Sequence, residues 1–206
     1  MNKAVKRSVT VILLIALSIA SGFGIQQLYY AVQNKNYPLA YTEYVEKYCD
    51  MYGVPQEVVY AVIKVESNFR YDAESYKKAR GLMQLMPGTY EWLCKKEGID
   101  PEKQSIDDPE TNIRIGTCYL AYLYNEFEIW DTVYAAYNAG HGIVRQWLAD
   151  EEYGKNGHLI KIPYPETSSY VKKISDAQKV YEKILSRKGA AGSSQTDAPP
   201  ATDTGR

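Results

Sequence analysis

The polarity of the chain breaks first near its start. Lys3, Lys6 and Arg7 precede a run from Val9 to Ile25 that carries no charge. A membrane-crossing helix needs about 17–25 apolar residues, and this run reaches the lower limit. Leu28, Tyr29 and Tyr30 extend it with aromatics of the kind that settle at a bilayer interface. Basic residues ahead of the run place the N-terminus in the cytoplasm and the remainder outside. A cleaved secretory signal is the alternative, with Ser18-Ile19-Ala20 as its small-residue site. No Cys stands directly after the run, which argues against a lipoprotein anchor. Residues 1–25 therefore read as an anchor or signal segment, with the anchor the better fit, and residues 26–40 as a short stalk.

Beyond the stalk the apolar positions recur at helical spacing, and no alternation of period two persists. A helix is predicted over about residues 41–52, with Gly53 as its stop. The next opens at Pro55, a residue favoured at a first helical position. It sets Val58, Val62 and Val65 on one stripe and Val59, Ile63 and Glu66 on the adjacent one. After a polar stretch from Asn68 to Arg80, helices are predicted over about 89–97, from Asp108-Pro109 to about 126, from an Asp131 cap to Gly140, and over 143–148. A loop rich in Gly and Pro leads to a last amphipathic helix from Thr167 or Ser168 to about Leu185. The stretch 187–206 has almost nothing to bury and reads as a disordered polar tail. The expected fold class is all-α, one domain over 41–186 of short-to-medium helices around one core.

Composition adds two points. With 24 basic and 25 acidic residues the net charge is −1, so no electrostatic footprint for nucleic acid is present. Tyrosine is abundant, at 20 residues against 3 Phe and 3 Trp. Its apolar face and polar tip suit a wet, carbohydrate-like surface, and equally the outer faces of helices. Cys49, Cys94 and Cys118 are an odd number at wide spacing, and with 2 His they form no zinc pattern. Two of them pairing, or all three as small buried hydrophobes, are both open, the second being preferred.

Glu66 is the candidate for chemistry. It ends a largely apolar helix, where desolvation and the negative end of the helix dipole both disfavour its charged form. Glycosidic cleavage needs a carboxylic acid that keeps its proton until the leaving oxygen takes it. An ordinary solvated Glu at a helix end is the plain alternative, and the neighbouring motifs argue against it.

Four segments occur in order: Glu66-Ser67-Asn68-Phe69, Gly81-Leu82-Met83-Gln84-Leu85-Met86-Pro87, Ala136-Tyr137-Asn138-Ala139-Gly140, and Glu166-Thr167 with Tyr170-Val171. In these the chain resembles the lytic transglycosylase family, whose catalytic domain is related to goose-type lysozyme, over about residues 41–185. The resemblance implies a lysozyme-like fold with a groove for the glycan strands of peptidoglycan, and Glu66 as acid and then base. It implies that Ser67 orients the acid or the sugar. Met83 and Gln84 are expected to line the groove beside Gly81, which permits close backbone approach, while Leu82, Leu85 and Met86 are expected in the core. Tyr137 and Tyr170 are expected near the acid, Tyr137 with its hydroxyl open to a carboxylate or an N-acetyl group. Asn138 is expected to contact sugar or to serve structure, and Ala139 and Gly140 to pack closely.

The family's reaction cuts between N-acetylmuramic acid and N-acetylglucosamine and closes a 1,6-anhydro ring, so a second carboxylate is not required. Asp72 and Glu74 are the nearest candidates for one, and nothing marks them beyond a solvated loop. A hydrolytic lysozyme and a non-catalytic glycan-binding module are the alternatives. No cofactor is called for.

Overall fold

Local sequence sets the helix ends that position the site. The computed structural model describes residues 2–196. Two compact units are present, Met1–Leu39 and Ala40–Arg206, and each is described by itself.

The first unit is one helix, α1 (Lys3–Asn36). Its most apolar 18-residue stretch, within residues 7–36, has a mean hydropathy of 2.2, and the helix is long and apolar enough to cross a membrane. Leu14, Ile19 and Ile25 are among its many exposed apolar side chains. The predicted stalk is thus helical as far as Asn36. Its Gln, Ala and Leu residues are good helix formers, and the loss of hydrophobicity after Ile25 carries no stop signal.

In the second unit the helices are α2 (Thr42–Tyr52), α3 (Gln56–Glu66), α4 (Pro87–Lys96), α5 (Pro109–Phe127), α6 (Trp130–Ala139), α7 (His141–Ala149) and α8 (Pro165–Thr196). The all-α expectation holds, apart from a hairpin of two very short strands, β1 (Gly154–Lys155) and β2 (His158–Leu159). Its turn is Asn156-Gly157, both at positive φ, the pairing that two-residue hairpin loops favour.

Pro55 and Gly53 bound α3 and α2 as predicted. Asp108 caps α5, its carboxylate accepting from the Thr111 N–H at 2.9 Å, with Pro109 in the first turn. The Asp131 prediction is corrected. Ile129 precedes the first turn of α6, and the Asp131 carboxylate accepts from the Ser175 hydroxyl on α8 at 2.7 Å. The last helix also runs further than predicted, to Thr196, across residues 187–196 of the expected tail. Arg, Lys and Ala there propagate a helix already nucleated. Residues 197–206 lie outside the described residues.

The core sits around α3. Val58, Val59, Tyr60, Ala61, Val62 and Ile63 are fully buried. α3 packs most extensively on α8, α8 also on α6, and α5 on both α2 and α6. Tyr60 stacks on Tyr181 of α8 with ring centroids 5.3 Å apart. All three cysteines are buried and free.

Candidate active site

Glu66 is the last residue of α3. The chain leaves the helix through Asn68 and Phe69, both left-handed with φ of 51° and 64°. Two consecutive non-glycine residues there carry strain of about 1–3 kcal/mol each. Packing holds them: Phe69 lies against Tyr60, and the Lys64 ammonium donates to the Asn68 side chain at 2.6 Å. Ser67 is buried, and its hydroxyl donates back to the Ile63 carbonyl at 3.2 Å. The Ser67 hydroxyl thus spends its proton on closing the end of α3 and keeps only its acceptor side.

Glu66 keeps a partly exposed surface, yet burial pushes its pKa from 4.5 up to about 7. Tyr170 opposes this. Its hydroxyl donates to Glu66 Oε1 at 2.6 Å, which favours the carboxylate. Tyr170 stands on the second turn of α8 and is buried. Burial and the nearby Glu66 charge hold the phenols of both Tyr170 and Tyr137 well above 10, so each stays a proton donor. Tyr137 spends its proton on the Met83 carbonyl at 2.8 Å. Its hydroxyl therefore reaches the site as an acceptor, not as the free donor expected.

The turn at 81–85 differs most from expectation. Met83 is fully buried, and a Cβ on Gly116 would sit 2.3 Å from its sulfur. Met86, expected in the core with Leu82 and Leu85, is 45% exposed at the start of α4. Met83 is thus the buried methionine of the turn and Met86 the exposed one. A left-handed Gln84, φ 47°, reverses the chain between them. The Gln84 amide nitrogen donates to the carbonyls of Ala73 and Gly81, both at 2.9 Å, and this closes the loop between them. Its amide oxygen is the group left for a ligand.

Asn112, which no motif marked, supports this turn from below. It is fully buried on α5. Its Oδ1 accepts from the Met83 N–H at 2.8 Å, and its Nδ2 donates to the carbonyls of Ile106 at 2.7 Å and Arg80 at 3.1 Å. Gly81 is required here twice over. It has φ 80°, and a Cβ would fall 2.1 Å from Asn112 Nδ2. The close approach expected at Gly81 is thus made by the protein's own Asn112.

Asn138 is exposed, and its Oδ1 accepts from the buried Thr167 hydroxyl at 2.8 Å, tying α6 to α8. Gly140 corrects another expectation. Nothing lies within 4 Å of a Cβ there, so its φ of 93°, not close packing, calls for glycine. Asp72 is exposed, and Glu74 is exposed and paired with Lys78 at 2.8 Å. That pairing holds the Glu74 carboxyl below its ordinary range, the opposite of what has happened at Glu66.

The transglycosylase SLT domain matches residues 43–160. The soluble lytic murein transglycosylase of Escherichia coli is 37% identical over 147 residues, covering 68% of this chain and 22% of that protein. The membrane-bound lytic murein transglycosylase C of Edwardsiella ictaluri is 31% identical over 168 residues, covering 70% and 47%. Among solved structures, the 70 kDa soluble lytic transglycosylase of Escherichia coli superposes with a TM-score of 0.66 at 35% identity, over 74% of this chain and 26% of that one. An inactive mutant of the Pseudomonas aeruginosa lytic transglycosylase Slt gives 0.65 at 33%. The chain spans about a quarter of the length of these soluble relatives. With motifs, fold and an acid of raised pKa in one place, the chain belongs to the lytic transglycosylase family through its SLT domain.

Proposed function

We propose that this chain cuts the glycan strands of peptidoglycan as a lytic transglycosylase, with Glu66 as its one catalytic carboxylic acid. One observation carries the reading: a carboxyl with a pKa near 7, held through a single oxygen by Tyr170. Oε1 is occupied by the phenol, which leaves Oε2 to hold the proton. Glu66 gives that proton to the oxygen bridging N-acetylmuramic acid and N-acetylglucosamine as the C1–O bond breaks. The 2-acetamido group of the substrate supports the electron-poor C1. Glu66, now a carboxylate, takes the proton of the muramoyl C6 hydroxyl, whose oxygen bonds to C1 and closes the anhydro ring. The nucleophile is tethered to its target, and such tethering supplies a large effective molarity. The Gln84 amide oxygen, the Asn138 amide nitrogen and the Tyr137 hydroxyl oxygen are the groups offered to the sugars.

Mass spectrometry of purified peptidoglycan treated with the chain tests this. Anhydro-muropeptides are the expected products, and products heavier by one water, with reducing ends, replace the reading by a hydrolytic lysozyme. No cleavage at all leaves only a glycan-binding module. The same preparation tests the membrane assignment, which the apolar α1 behind Lys3, Lys6 and Arg7 supports. We infer a single crossing with the catalytic unit outside, so the intact chain is expected in the membrane fraction. A soluble form cut near Ala20 overturns the anchor.

Tyr170→Phe removes the hydrogen bond that favours the Glu66 carboxylate, so the Glu66 pKa rises further. The alkaline limb of the rate profile, which requires protonated Glu66, is expected to move to higher pH. Loss of a charge-assisted bond of about 1.5–3 kcal/mol is expected to lower turnover about 10- to 100-fold. An unmoved limb removes Tyr170 from this role.

A further inference from the structure

A connected series of aromatic rings leads away from Glu66 along α4 and α5. The Tyr137 ring lies 5.1 Å from Tyr119, and Tyr119 lies 6.4 Å from Trp92 at an interplanar angle of 89°. Trp92 lies 4.9 Å from Tyr122 at 84°, and Tyr122 lies 6.0 Å from His141. Trp92 is the most exposed of the series at 38%, between the buried Tyr119 at 8% and the half-buried Tyr122. The Lys96 ammonium sits 4.7 Å from the Tyr122 ring centre and 6.0 Å from that of Trp92. The series thus starts at the tyrosine that neighbours the acid and reaches the surface after two ring contacts.

A core cluster would bury the indole, and a bare surface Trp would have its plane free. Here two near-perpendicular contacts fix the plane while part of the ring stays open to solvent. An aromatic fixed in advance loses little freedom when a ligand lies on it. The flat C–H faces of pyranose rings stack on such surfaces, and their hydroxyls find a donor in Lys96. Continuity with the Glu66 site names the occupant.

We propose that Trp92, braced by Tyr119 and Tyr122, is a stacking subsite for the uncut glycan strand, engaging a sugar beyond those that flank Glu66. This rests on the transglycosylase reading of Glu66, and it makes the enzyme favour long strands over short ones. The full chain carrying Glu66→Gln, which cannot cut, serves to measure binding to purified peptidoglycan sacculi. Adding Trp92→Ala is expected to weaken that binding about tenfold, and Trp92→Phe to restore most of it. Tyr124→Ala, which removes a similarly exposed aromatic from another face of α5, is expected to leave binding as it was. With Glu66 intact, Trp92→Ala is expected to lower the ratio of kcat/KM for long strands over a short muropeptide by a similar factor, through KM. Unchanged binding, or an equal loss on short and long substrates, overturns the subsite while leaving the enzyme assignment in place. Weakened binding in a chain that makes no products overturns the enzyme assignment and keeps the sugar platform.

Discussion

Glu66→Gln is expected to lower cleavage of peptidoglycan by about 10²–10⁴-fold, the usual contribution of a positioned acid and base. The amide keeps the shape of the side chain and can still accept from Tyr170, but it has no proton to give. The same substitution is expected to stabilise the fold in one pH range only. In the folded protein burial raises the Glu66 pKa from 4.5 to about 7. Between those values the folded state holds a proton that the unfolded chain has released, so stability falls as pH rises through the window. Below it both states are protonated and Glu66 costs nothing extra. Above it the full difference applies, up to about 3 kcal/mol at 1.36 kcal/mol per pKa unit. Glu66→Gln should therefore melt higher than the parent at pH 8 and no higher at pH 4. Equal gains at both pH values in thermal melts would contradict a raised Glu66 pKa, and retained cleavage would remove Glu66 as the acid.

Asn112→Ala is expected to be the most damaging change away from the groove. It leaves the Met83 N–H and the Ile106 carbonyl short of a partner, while the Arg80 carbonyl keeps the Leu85 N–H at 2.9 Å. Each buried group left so costs about 1–3 kcal/mol, so the total is on the order of 4 kcal/mol. Asn112→Asp separates hydrogen bonding from volume. It preserves the shape and the acceptor for Met83, yet turns an oxygen toward two carbonyl oxygens. It is expected to be about as harmful as the Ala change in urea unfolding. Parent-like stability of Asn112→Asp would refute the account. Survivors of either change are expected to lose activity as well, because Met83 supplies the carbonyl that fixes Tyr137.

The contrast between Glu66 and Asn112 shows what the sequence makes legible. Glu66 is readable because a carboxylate closing an apolar helix is unusual in itself and stands in a motif. Helix starts at Pro55 and Asp108-Pro109 are readable because their signals act within one turn. Asn112 is a polar residue in an otherwise ordinary helix start, and its importance depends on three backbone groups brought to it by folding. The burial of Met83 and the exposure of Met86 were not readable because a motif gives order along the chain, whereas the side each residue faces depends on the backbone of Gln84. Ser67 is similar: next to the acid in sequence, its inward turn at the helix end is visible only in the fold. Two-residue strands give no alternation to detect, although Asn156-Gly157 marked the hairpin turn. Helix α1 outran its apolar run because side-chain polarity does not end a helix.

Tyr170 reaches Glu66 from 104 residues further along the chain. The acid thus acquires its environment only when the final helix docks on α3, after nearly the whole domain has been made. Until then Glu66 is an ordinary ionised carboxylate in a chain unable to hold a glycan. On the proposed reading of Glu66, its acid chemistry is in this way withheld while the chain is being synthesised. Competence begins with completion of the fold.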